Sequence, residues 1–133
     1  MARLFISLAA VFGFLGVALG AFGAHGLAAH FEAFPGSEDT FRTAAQYQMI
    51  HALALLGIGI LETLETQHAI PMQQRWLKYA GYLFTAGIVL FSGSLYLLSI
   101  FELRFMGAVA PLGGLALLGG WLCLGLASRH VTK

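Results

Sequence analysis

The residues best suited to chemistry in this sequence are a few polar side chains that interrupt long apolar runs. His51 lies inside one such run, with Tyr47 and Gln48 about one helical turn before it. If these runs cross a membrane, a helical rise of about 1.5 Å per residue places His51 roughly 10 Å below the surface. Polar residues of a later run reach a similar depth. We therefore predict an intramembrane polar cluster that consists of Tyr47, Gln48, His51, Ser92, Ser94 and Tyr96.

The predicted cluster has two interpretations, a functional site or a packing contact. An unpaired polar group in hydrocarbon is costly, so an ionisable residue within a span is a candidate for function. A neutral histidine that is hydrogen-bonded to a neighbouring helix serves packing specificity equally well. In either case we expect His51 to point into the bundle and to bond a polar group of the third span, or water held beside it, with Gln48 as the local alternative. Thr85, Ser92 and Ser99 share one stripe of that span, which suits either packing or the wall of a water-filled path.

Motifs of enzymatic chemistry are missing from the sequence. No serine or cysteine nucleophile has a nearby base in a known motif, and no glycine-rich phosphate loop follows a strand. The apolar runs contain no Asp, Glu, Lys or Arg, so the usual groups of an ion-coupled carrier are reduced to His51. A further hypothesis pairs His25 with His51 as haem or metal ligands, although such sites usually have more ligands than this. We predict no enzyme, no catalytic residue, no metal site and no cofactor.

The elements that must position these residues follow from composition. The chain has 133 residues, of which 59% are hydrophobic and 10% charged, and its mean hydropathy is +0.81; a soluble domain is roughly a quarter charged. A bilayer core of about 30 Å takes roughly 20 helical residues. Four runs approach or exceed that length, at residues 4–24, 44–61, 79–101 and 105–127. The first run is longer than the core of a signal peptide, which favours a true span. We predict one all-α domain over residues 1–133, an integral membrane four-helix bundle.

Orientation and connections follow from the loops. Lys and Arg are enriched on cytoplasmic flanks. Five basic residues flank one side of the predicted spans: Arg3, Arg75, Lys78, Arg129 and Lys133. Only Arg42 and Arg104 flank the other side, so both termini are predicted to be cytoplasmic. Trp121 is expected at the inner headgroup level. The third connection, residues 102–104, is so short that the third and fourth spans should form a tight antiparallel hairpin.

Two features of the first loop concern local structure. Residues 27–34 suit a short helix on the outer surface. Pro35-Gly36 reads as a break and Ser37-Glu38-Asp39 as a helix N-cap, so the second helix should begin before the membrane.

Glycines recur at helical spacing in the first and fourth spans. Lipid supplies no hydrophobic drive between helices, so small residues that allow close approach mark contact faces. The predicted packing positions are Gly13, Gly16, Gly20, Gly23, Gly113, Gly114 and Gly120. These faces suit contacts within one bundle and also contacts between copies.

Several segments along the chain carry a family resemblance. They are residues 18–27 (ALGAFGAHGL), 47–56 (YQMIHALALL), 90–96 (LFSGSLY) and 111–114 (PLGG), with Gly120–Trp121. In this order the segments resemble the domain of unknown function 423 family, which includes small bacterial inner-membrane proteins and animal transmembrane protein 256. The resemblance implies a four-span protein of the bacterial inner (plasma) membrane with an uncharacterised biochemical role.

The function favoured by these observations is that of a non-enzymatic accessory or structural component of a membrane assembly. The alternative is an oligomeric channel or carrier for a small solute. The expected partners are the lipid bilayer and either further copies of the chain or a larger membrane complex. Nucleic acid is not expected, because the net charge is only +1 and the basic residues are scattered.

Overall fold

The structure is a computed structural model that describes residues 1–129, and within them it contains helices and no strand. Four helices are long and apolar enough to cross a membrane, which confirms the predicted all-α architecture with four candidate spans. We call them helix one (Ala2–His25), helix two (Ser37–Thr66), helix three (Gln74–Phe101) and helix four (Met106–Ala127). Lys133, which entered the charge count, lies outside the described residues.

The connection between helices one and two contains a short helix, Ala28–Ala33, within the segment expected to suit one. Helix two then begins at Ser37, as predicted from the sequence break. Gly36 precedes it with a φ of 87°, a left-handed conformation that glycine adopts without steric cost. Glu38 and Asp39 occupy the first turn, where carboxylates interact favourably with the helix dipole. Helix two has 30 residues and is therefore about 45 Å long, which exceeds the hydrocarbon core of a bilayer.

Helix three changes its winding at Ile88–Ser92, where one turn is π-helical. Helix four packs against this turn so closely that a Cβ added at Gly113 would lie 2.7 Å from Phe91 Cα. Only glycine fits such a backbone contact. π-Helical turns are rare and are often found at functional sites, so this turn directs attention to the residues beside it.

The apolar core lies where the four helices meet. Its largest fully buried apolar side chains are Phe5 of helix one, Leu55 and Ile58 of helix two, and Leu77 and Phe84 of helix three. Helix one packs mainly on helix two, helix two on helix three, and helix three on helix four. The outward faces of the helices expose many large apolar side chains, as expected for a surface that contacts lipid.

Candidate functional site

His51 is buried, with 5% of its surface exposed, but its partners are not the predicted ones. Its Nδ1 atom lies 2.8 Å from the backbone oxygen of Tyr47, one turn earlier in helix two. Trp121 Nε1 of helix four donates a hydrogen bond to His51 Nε2 at 3.1 Å. The expectation that His51 bonds a polar group of helix three, or Gln48, is therefore wrong. Trp121 lies at the level of His51, and its expected position at the inner headgroups stays a prediction.

The chemistry of these partners defines the state of the imidazole. A carbonyl oxygen can only accept a hydrogen bond, so His51 Nδ1 carries the proton that is shared with Tyr47. An indole N–H can only donate, so His51 Nε2 is the unprotonated nitrogen that accepts from Trp121. The ring is a neutral imidazole with both nitrogens engaged. It holds helices two and four together at this level.

Both ring nitrogens of His51 already have hydrogen-bond partners, which makes the residue less suitable as a haem or metal ligand. A histidine ligand must present a free lone pair to the metal, and the lone pair of His51 Nε2 already accepts from Trp121. His25 is exposed at the end of helix one. Over residues 1–129 no group of three or more His, Cys, Asp and Glu side chains is arranged to hold a metal ion. The arrangement offers no support for a site built from His25 and His51.

A cavity of about 670 Å³ lies beside the His51–Trp121 contact. Its wall is mostly apolar and includes Tyr47, His51, Phe91, Pro111, Leu118 and Trp121. Phe91 comes from the π-helical turn, and Pro111 from helix four. Because the nitrogens of His51 are bonded elsewhere, this cavity offers mainly apolar contact. The cavity is suited to contact with hydrocarbon chains.

The remaining predicted cluster residues form a separate group, centred on Gln48. The Gln48 side-chain oxygen accepts a hydrogen bond of 2.7 Å from the Tyr96 hydroxyl of helix three. The Gln48 side-chain nitrogen donates to the Phe12 backbone oxygen of helix one at 2.8 Å. One side chain of helix two thus joins two neighbouring helices. Ser92 adds a bond of 2.8 Å to the Ala44 backbone oxygen.

The serines and the threonine of helix three mostly bond their own helix. Ser94 donates to the Phe91 oxygen, Thr85 to the Gly81 oxygen, and Ser99 to the Tyr96 oxygen. Ser92, Ser94 and Ser99 are all buried. Since the hydroxyls are satisfied by backbone carbonyls inside the bundle, the stripe of Thr85, Ser92 and Ser99 has the geometry of packing contacts. A water-filled path along it is not favoured.

The four predicted packing glycines of helix one form two pairs with different surroundings. A Cβ added at Gly16 would meet the Met49 side chain, and one added at Gly23 would overlap the Phe41 ring, so both face helix two. Gly13 and Gly20 have no atom of the described residues within 4 Å of an added Cβ. Both are half-buried and line small cavities beside helix two, Gly13 with Met49 and Gly20 with Phe41.

The glycines of helix four face helix three. An added Cβ would lie 2.6 Å from the Phe84 ring at Gly120, and 3.7 Å from the Phe91 ring at Gly114. Gly113 makes the close contact with the backbone at Phe91 that was described above.

Glu62 is a buried acidic residue that the sequence analysis missed. Only 2% of its surface is exposed, and within residues 1–129 neither carboxylate oxygen has a hydrogen-bond partner. The run taken as the second span ended at Leu61, whereas helix two continues to Thr66. Glu62 follows Leu55 and Ile58 by seven and four residues, and these are core residues. That spacing was the available signal, because it places all three on one helix face.

Comparison with known proteins agrees with the motifs found in the sequence. A sequence model of the family described as "Protein of unknown function (DUF423)" matches residues 19–114. The UPF0382 membrane protein YwdK of Bacillus subtilis (strain 168) is 40% identical over 128 residues, which cover 95% of this chain and 96% of that protein. No solved structure matches the chain.

Two further relatives extend the similarity to other bacteria. The UPF0382 inner membrane protein YgdD of Escherichia coli (strain K12) is 39% identical over 122 residues, which cover 90% of this chain and 84% of that protein. The UPF0382 membrane protein SH2409 of Staphylococcus haemolyticus (strain JCSC1435) is 38% identical over 122 residues, with 92% of each chain covered. These relatives and the four apolar helices identify the chain as a membrane protein, and the resemblance noted in the sequence is confirmed.

Proposed function

The chain belongs to the DUF423 family of unknown function, and from this premise we propose that it is a non-enzymatic accessory or structural component of a membrane assembly. The observation that carries the proposal is the hydrogen bonding of the buried polar side chains. His51 joins helices two and four, and Gln48 joins helices one, two and three. These groups hold the bundle together and present no reactive atom to a substrate.

The proposed location is the bacterial inner membrane, with both termini in the cytoplasm. The location is supported by relatives such as the E. coli protein, which is named an inner membrane protein. The orientation is supported by the basic residues at one end of the bundle. Arg3 and Lys78 line the same cavity, and Gln73 donates to the Arg129 backbone oxygen. An excess of Lys and Arg is typical of the cytoplasmic side.

We further propose that helices three and four form the tight antiparallel hairpin expected from their short connection. Three contacts support this arrangement: Gly113 meets Phe91, Leu117 meets Gly87, and Gly120 meets Phe84. As the residue number rises along helix four, the number of the residue that it meets in helix three falls. That order is characteristic of an antiparallel pair.

The uncovered faces of the bundle supply the contact surface for a membrane assembly. Phe14 and Val17, which are 74% and 63% exposed, lie on such a face of helix one, and the half-buried Gly13 and Gly20 have space for a further atom beside it. Small residues allow close helix contacts within lipid. The proposed partners are therefore lipid together with further copies of the chain or a larger complex.

Gentle extraction of the native protein, followed by mass spectrometry of the intact assemblies, tests the proposal. A fixed set of larger partner proteins is the expected result. A pure homo-oligomer without other proteins would contradict the accessory role.

A channel or carrier for a small solute is the second candidate, and Glu62 is the observation that favours it. Acidic residues inside spans often belong to ion or substrate pathways. If extraction yields only a homo-oligomer, solute flux into liposomes that contain the purified protein becomes the deciding measurement. Flux that Glu62→Gln abolishes would establish this alternative, and impermeable liposomes would exclude it.

A further inference from the structure

A polar cavity of about 490 Å³ lies at the end of the bundle where helix one begins and helix two ends. Met1, Arg3, Glu62, Thr66, Gln74 and Lys78 are among its lining residues. The surrounding helix ends are held together, because Tyr82 of helix three contacts the Met1 sulfur at 3.7 Å and Gly59 of helix two packs on Ile6 of helix one. The cavity is therefore part of the folded bundle.

The charges in this cavity are not paired with one another. Within residues 1–129 the single ion pair joins Arg42 to Glu38, near the start of helix two. Glu62 therefore lies in the same cavity wall as Arg3 and Lys78 without a salt bridge to either. A buried carboxylate without a partner is costly. The carboxylate is therefore open to a donor from outside the chain.

The position of the cavity limits the donor. It lies at the ends of membrane-spanning helices, the level at which lipid headgroups meet protein. Its charged side chains are one carboxylate and two basic groups. A complementary ligand carries one cationic hydrogen-bond donor and one anionic group that basic side chains can bind.

We propose that this cavity binds the headgroup of an amino-phospholipid of the phosphatidylethanolamine type. The primary ammonium donates hydrogen bonds to the Glu62 carboxylate, and the phosphate lies between Arg3 and Lys78. Both Glu62 carboxylate oxygens are buried in the structure, so this contact requires the side chain to rotate toward the cavity that it lines. This lipid contact goes beyond the proposed accessory role and does not depend on it.

The site distinguishes headgroups by their chemistry. Phosphatidylglycerol satisfies the basic residues but offers Glu62 only neutral hydroxyl donors. Phosphatidylcholine carries a positive charge, but its quaternary nitrogen has no N–H to donate. Charge-assisted hydrogen bonds are roughly twice as strong as neutral ones, so the ethanolamine headgroup should be preferred over both.

The test is a lipid titration of the purified wild-type protein followed by native mass spectrometry. Four lipids with identical acyl chains are compared: phosphatidylethanolamine, its N-methyl and N,N-dimethyl derivatives, and phosphatidylcholine. The affinity should fall each time a methyl group replaces an N–H hydrogen. Phosphatidylethanolamine should bind about tenfold or more tightly than phosphatidylcholine. Equal binding of all four lipids overturns the proposal.

Substitutions then identify the residue that causes the preference for phosphatidylethanolamine. Glu62→Gln should remove the discrimination between phosphatidylethanolamine and phosphatidylcholine. Glu65→Gln is the matched control, because it removes the same charge one turn later in helix two at a position that does not line the cavity. Arg3→Gln should weaken both lipids without changing their ratio. A preference that survives in Glu62→Gln shows that Glu62 is not the recognising group and overturns the assignment. If Glu62→Gln does not fold, the methylation series on the wild-type protein decides alone.

Discussion

At the scale of single residues, the bundle uses its few polar side chains as cross-links. His51 and Gln48 lie three residues apart in helix two and face different neighbours: His51 bonds Trp121 of helix four, and Gln48 bonds Tyr96 of helix three. Both bonds are part-buried. Measured interhelical hydrogen bonds in membranes nevertheless average only about 0.6 kcal/mol, because the unfolded chain in the membrane also finds partners. We therefore expect these contacts to specify the arrangement of the helices more than to provide stability.

A double-mutant cycle measures the His51–Trp121 contact. We expect a coupling of about 0.6 kcal/mol between His51→Leu and Trp121→Phe, with an upper limit of about 1.7 kcal/mol. The measurement is the free energy of unfolding in detergent for the wild-type protein, both single variants and the double variant. Trp76→Phe provides the control, because Trp76 is half-buried and its described aromatic contacts do not include His51. Additive effects of the two substitutions would show that the hydrogen bond contributes nothing.

A second prediction at this scale separates packing from function at His51. If the imidazole only joins helices two and four, His51→Leu should remain folded and should retain every partner protein of the wild-type assembly. Intact-assembly mass spectrometry of the variant checks this outcome. A folded His51→Leu protein that has lost a partner would identify His51 as a functional residue.

At the scale of helices, the third and fourth are fitted to each other backbone to backbone. The π-helical turn Ile88–Ser92 brings Phe91 against Gly113, where a side chain larger than hydrogen has no space. Ser92 ends the same turn and bonds the backbone of helix two. The π-helical turn therefore brings helix three into contact with helices two and four at once.

Alanine substitution tests this fit. Gly113→Ala should destabilise the bundle by about 1–3 kcal/mol, because the new Cβ would overlap the Phe91 backbone and the helices would have to separate. Gly125→Ala is the matched control in helix four, where an added Cβ meets no atom of the described residues within 4 Å. We expect the control to be neutral or stabilising by up to about 1 kcal/mol. Unfolding in detergent provides the measurement, and equal stability of the two variants would rule out the close contact.

At the scale of the whole molecule, the two ends of the bundle differ in charge. The end with the helix one N-terminus carries Arg3 and Lys78 beside the buried Glu62. The opposite end carries Arg42 in an exposed ion pair with Glu38, together with Arg104. Exposed ion pairs contribute little to stability, so the difference matters mainly for orientation and lipid contact.

The proposed topology has a direct test. A reporter fused after Lys133 should lie in the cytoplasm, and a reporter inserted within residues 36–39 should lie on the outer side. Paired alkaline phosphatase and green fluorescent protein fusions report the two compartments. Reporters found on the same side would contradict the number of membrane crossings.

The sequence by itself determined the number and the helical state of the candidate spans. These properties depend on local composition, since about 20 apolar residues must bond their own backbone in order to enter a bilayer. The identity of the polar residues inside the spans was equally visible, because each interrupts an apolar run. Their partners were decided by the tertiary structure: Trp121 of helix four bonds His51, and Tyr96 of helix three bonds Gln48. Glu62 was placed inside for the same reason, since neighbouring helices cover its face beyond the point where the sequence ceases to be apolar. Helical periodicity defines the face on which a residue lies, but only the packing of whole helices determines what meets that face.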